Sequence, residues 1–116
     1  MLTTNGIPRV VSIIALDGLN DAALLALAAS VASALEAPLG NAILESARER
    51  DIRARPVVGR TVIVGNAALF SDLQLSIESL GDGPERLRQH AQYVLFVAVD
   101  GRTVGFFGLA HTNHGG

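Results

Sequence analysis

Glu36-Ala37-Pro38-Leu39 and Gly65-Asn66 are the places where residue type and spacing could do chemistry. Glu36 reads either as a solvated carboxylate at a helix junction or as a ligand contact. Gly65-Asn66 closes the run Thr61-Val62-Ile63-Val64. The glycine either admits a ligand close to the backbone, or ends a strand while the asparagine caps the next helix. His111 and His114 lie three apart. Two imidazoles alone make a poor metal site, because zinc takes three or four protein ligands. Asp17, Asp21 and Glu36 are not spaced as an acid–base pair, and no Ser-His-Asp set or glycine-rich phosphate loop occurs. No residue is therefore assigned a catalytic role, and the metal-ligand assignment is none.

The elements that must position these residues follow from local pattern. Arg9 to Leu16 is apolar on both faces and rich in β-branched residues, which predicts a strand stopped by Asp17-Gly18. Asn20 caps a helix running to about Leu35, nearly all Ala and Leu and so largely buried. Pro38 suits the first position of a second helix. Leu39, Ala42, Ile43 and Ala47 form its apolar stripe, with Glu45, Arg48, Glu49 and Arg50 toward water. Ile52–Val58 and Thr61–Val64 read as short strands around a turn at Gly59-Arg60. Asn66 caps a short helix through Phe70. Ser71 to Asp82 reads as loop with one helical turn, and Pro84 to His90 as a short helix.

Tyr93–Val99 and Arg102–Leu109 are the strongest strands. Asp100-Gly101 between them is a two-residue hairpin turn, because both positions need positive φ. Residues 1–110 make one module, and 111–116 a frayed, flexible tail. The fold class is α+β: an antiparallel β-sheet flanked by helices, with a helix pair between the first and second strands. Strands apolar on both faces require the later short helices, or a partner, to cover the second face.

At 116 residues the chain is the size of one domain, and its 49% hydrophobic content can build a core. The net charge of −2 and the lack of a basic stripe argue against nucleic acid. The chain has no cysteine, which excludes disulfides, zinc–thiolate sites and thiol catalysis. The apolar stretch Ala22–Leu35 is too short to cross a bilayer, and Val10–Leu16 lacks the basic flank of a signal peptide. These features predict a cytoplasmic domain without membrane insertion.

Several segments together carry a resemblance. They are Leu2-Thr3 with Gly6, Pro8 and Val10-Val11; Ala28-Ala29-Ser30; Glu36-Ala37-Pro38-Leu39 with Ala42-Ile43; Gly65-Asn66; Phe96 to Gly101; and Gly105 to Ala110. In this order the chain resembles the nucleotide-binding (N) domain of heavy-metal, copper-type P-type ATPases over nearly its whole length, in shortened form. The resemblance implies an ATP site. That family holds ATP with a glutamate, a Glu-His-Pro motif on whose histidine the adenine stacks, a Gly-x-Gly loop and a Gly-Asn pair.

Measured against that motif set the chain is degenerate. Ala32 stands at the first glutamate and Ala37 at the histidine. The Gly-x-Gly loop is missing, since Arg53-Ala54-Arg55-Pro56 runs almost directly into Val57-Val58-Gly59-Arg60. Glu36, Gly65 and Asn66 remain as the nucleotide-binding candidates. Losing a stacking ring removes roughly 1–3 kcal/mol. Losing a charge-assisted hydrogen bond removes roughly 1.5–3 kcal/mol. Together these are about two to four powers of ten in affinity if additive, so ATP or ADP binding should be weak or absent. The phosphorylated aspartate and its following segment have no counterpart before Met1-Leu2-Thr3-Thr4, and His111 stands where the family has an acid. The chain is expected not to be an enzyme alone, and to be a freestanding protein or an excised domain.

The resemblance thus implies a non-catalytic homologue with a regulatory or docking role. Its partners would be a metal-transport ATPase or another protein, and nucleotide. An alternative is a working ATP/ADP-binding domain with a rearranged site. A remoter one is a small metal-binding protein that uses His111 and His114.

Overall fold

The computed structural model describes residues 7–16, 18–55 and 58–112. Four strands, β1 (Ile7–Ala15), β2 (Val62–Gly65), β3 (Tyr93–Val99) and β4 (Arg102–Thr112), form one antiparallel sheet in the order β1-β4-β3-β2. The β3–β4 hairpin is its centre. Asp100 and Gly101 turn it with φ of 52° and 83°, the positive values such a turn demands. Asp100 also anchors the approach to β2: its Oδ1 accepts the Thr61 N–H at 2.9 Å, and its own N–H donates to the Thr61 carbonyl at 2.8 Å.

The expected helix pair lies between β1 and β2. In α1 (Asp21–Ser30), Asn20 Oδ1 caps the Ala23 N–H at 2.8 Å. Helix α2 (Ala37–Glu49) starts with Pro38 in its first turn, where a missing N–H costs no bond. Both helices lie on one sheet face, around the buried side chains of Leu24, Leu25, Ile43, Leu95, Phe107 and Leu109. Helix α1 stops at Ser30 rather than near Leu35. Ser30 Oγ donates to the Leu27 carbonyl at 2.6 Å, and Ala32–Ala34 tighten into a 3₁₀ turn. Helix α2 packs closely on this turn, since a Cβ at Gly40 would overlap the Ala32 carbonyl oxygen.

The second face is covered by α3 (Ala67–Asp72), a 3₁₀ turn at Glu78–Leu80 and α4 (Gly83–Gln89). Phe96 is fully buried there, with its ring centroid 5.4 Å from Phe70 and 6.2 Å from Phe106. Both rings are tilted, an arrangement favoured by aromatic quadrupoles. The two-sided apolar strands thus have a cover on each face.

Two further expectations fail. Residues 52–55 form no strand, while Pro56 and Val57 lie outside the described residues. The Arg55 N–H donates to the Ala26 carbonyl of α1 at 3.2 Å, and Ile52 packs into the α1–α2 core. Residues 52–55 are thus held against the helices and do not pair with β2, whose outer edge they leave unpaired among the described residues. Strand β4 runs to Thr112 instead of ending at Leu109, because β1 starts at Ile7 and supplies partners: Arg9 opposite Ala110, Pro8 opposite His111, Ile7 opposite Thr112. His111 is therefore a sheet residue and not part of a frayed tail. Leu2, Thr3, Gly6, Asp17, His114 and the rest of 113–116 lie outside the described residues.

Candidate functional site

Where α2 begins, the sheet extends past its first turn and leaves a groove of about 600 Å³. That volume is within the roughly 300–1,000 Å³ of small-molecule sites. Glu36, Pro38, Leu39 and Asn41 form the helix side. The sheet side is Ile7 and Pro8 from β1, Leu109 and His111 from β4, and Tyr93 from β3. The register explains this meeting: Tyr93 pairs with Leu109, and His111 with Pro8, so their side chains stand on one face. The lining is mostly apolar. Glu36 is exposed, and no hydrogen bond or ion pair of its carboxylate occurs among the described residues. Among the described residues, the His111 imidazole is the one basic side chain that lines the groove.

Asn66 reaches this groove through another residue. Its Oδ1 accepts the Leu69 N–H at 2.9 Å and caps α3, as expected from the sequence. Its Nδ2 donates to Tyr93 Oη at 3.1 Å. An amide offers two donor hydrogens and two acceptor lone pairs, so one of each is already committed. Gly65 is buried in β2 opposite Phe96, and a Cβ there would overlap the Leu69 side chain. An alanine there would have to push the Leu69 side chain aside, so packing against α3 favours glycine at 65. Of the three candidates, the structure places Glu36 on the groove wall, Asn66 one hydrogen bond behind it, and Gly65 under α3.

Tyr93 is a groove residue that the sequence reading did not select, and His111 entered that reading only as a tail residue that could ligate a metal with His114. Tyr93 is 42% exposed at the first position of β3. A large aromatic opening a strand is a weak local signal. Only the register of β4 against β1 and β3 reveals that it shares a face with His111. Elsewhere, no group of three or more His, Cys, Asp or Glu residues converges among the described residues. No helix among them is long and apolar enough to cross a membrane.

No family model matches the chain. The copper-transporting P-type ATPase of Rhizobium leguminosarum bv. viciae is 31% identical over 92% of this chain, which spans 14% of that protein. The copper-exporting P-type ATPase of Legionella pneumophila subsp. pneumophila is 34% identical over 87% of this chain and 16% of its own length. The chain thus corresponds to a small part of each relative. Among solved structures, the N-domain of HMA8, a copper-transporting P-type ATPase, superposes with a TM-score of 0.70 at 22% identity. The match covers 88% of this chain and 99% of that domain. The chain is a homologue of one segment of the heavy-metal P-type ATPases, and it has the N-domain fold.

Proposed function

We propose that the chain is a degenerate nucleotide-binding-domain homologue of a heavy-metal-transporting P-type ATPase, non-catalytic alone. It contacts ATP or ADP weakly through the groove at Glu36 and serves in docking or regulation. One observation carries this reading: both ends of the Asn66 side chain are engaged inside the protein, at Leu69 and Tyr93. Ala37, which opens α2 beside Glu36, offers no ring to a base. The retained polar groups are thus few and partly committed, and what remains is one unpaired carboxylate at the rim of an apolar cleft.

The test is an equilibrium titration with ATP, with phosphate release followed in parallel. The reading expects a dissociation constant in the millimolar range or weaker and no turnover. A submillimolar constant would defeat the degenerate reading and favour a working nucleotide domain with a rearranged site. Tyr93 and His111, two planar side chains in the groove, give that second reading its support.

A further inference from the structure

We infer that Tyr93 is the platform on which a nucleobase stacks in this groove, with the His111 imidazole as the flanking planar group. This rests on the reading that nucleotide enters the groove at all. Tyr93 and Leu109 are cross-strand partners, and His111 is two residues beyond Leu109 on β4. That makes Tyr93 and His111 diagonal neighbours on one sheet face, roughly 7–8 Å apart at the backbone. The spacing is about twice the roughly 3.5–4 Å contact distance of carbon atoms. A planar ring lying on that diagonal, between the two side chains, would therefore meet Tyr93 on one side and His111 on the other.

Tyr93 suits the role better than its exposure alone suggests. Its hydroxyl is held by Asn66 Nδ2 on the β2 side, so the ring is oriented before a ligand arrives. Restraint of that kind lowers the ordering cost of binding. Asn66 then acts as a positioning residue, through Tyr93 and not by touching the ligand. Glu36, across the groove, is acceptor-only when ionised. It matches the exocyclic amine that a nucleobase such as adenine carries at its edge.

Tyr93 is the only tyrosine in the chain. Its ring-proton resonances are therefore assigned without ambiguity, and a stacked base moves them upfield by its ring current. The probes are ATP and tripolyphosphate, which lacks a base. The inference expects upfield ring shifts with ATP and none with tripolyphosphate. It expects Tyr93→Ala to weaken ATP binding about tenfold, within the range for removing a stacking partner. Tyr93→Phe keeps the ring and should retain most of the affinity. His111→Ala should lose less than Tyr93→Ala. Backbone shifts at Glu36 and Asn66 with an unmoved Tyr93 ring would overturn the platform and leave the nucleotide reading standing. Retained affinity in a well-folded Tyr93→Ala variant would do the same. No perturbation anywhere, even at ATP raised well above the millimolar range, would overturn both.

Discussion

Asn66 donates to the Tyr93 hydroxyl at 3.1 Å while its amide oxygen caps α3. One side chain therefore ties the start of α3 to the edge of the groove. The same residue is structural by one atom and reaches the candidate site by the other, so its two roles can be separated by substitution.

Asn66→Ala removes the cap and the tyrosine contact together. The expected loss of stability is about 1–2 kcal/mol, most of it from the cap. Asn66→Asp keeps an acceptor for the Leu69 N–H and adds a charge favourable at a helix start, so it should cost far less. Urea denaturation of both variants checks the difference; equal losses would refute the cap assignment.

Gly65→Ala should destabilise the fold by roughly 1–3 kcal/mol, as overpacking does, because the added methyl meets Leu69. If packing is the reason for glycine at 65, the double variant with Leu69→Ala should cost less than the sum of the two single changes. Strict additivity in that cycle would mean that Leu69 is not the obstacle.

Ala91 follows α4 with φ of 61°, a left-handed conformation that an alanine adopts at a cost of roughly 1–2 kcal/mol. Ala91→Gly relieves that cost at some loss of chain entropy. A net gain of about 0.5–1 kcal/mol is expected, read as a higher Tm. A lower Tm would show that the residue is not held in this conformation.

Ala37→His places an imidazole at the exposed first residue of α2, beside Glu36. Stability should stay within about 0.5 kcal/mol, as for surface changes generally. ATP affinity should rise by about one power of ten if a stacking surface is what the groove lacks at that rim. Unchanged affinity would mean that position 37 does not face the bound base.

Among the described residues, the groove lining holds Glu36 and no Lys or Arg. Phosphates entering it would meet the His111 imidazole and no Lys or Arg side chain among the described residues. ATP, ADP and AMP should therefore bind with similar strength, and salt should matter little. Affinity rising steeply with phosphate number would point to a cationic contact elsewhere.

Much of this architecture was legible in the chain because its signals are local. Asn20 and Asn66 stand where their side chains cap helices, the apolar spacing of α2 repeats at helical intervals, and Asp100-Gly101 is a turn by its dihedral needs. Residues 52–55 were misread because local composition cannot reveal whether a segment will pair with a neighbouring strand, and here Arg55 finds a helix carbonyl instead. His111 was misplaced because the reach of β4 depends on where β1 begins, over a hundred residues earlier. The candidate site suffered most from this non-locality. Glu36 could be chosen from its motif, whereas Tyr93 becomes visible only once the register sets it opposite Leu109.

The most direct test of the central claim is a two-dimensional NMR titration of the chain with ATP. The account predicts small shifts confined to Glu36, Asn66, Tyr93 and His111, still unsaturated at millimolar nucleotide. A silent spectrum would show that the N-domain fold is kept here for something other than nucleotide. Saturation below a millimolar would contradict the weak, degenerate groove.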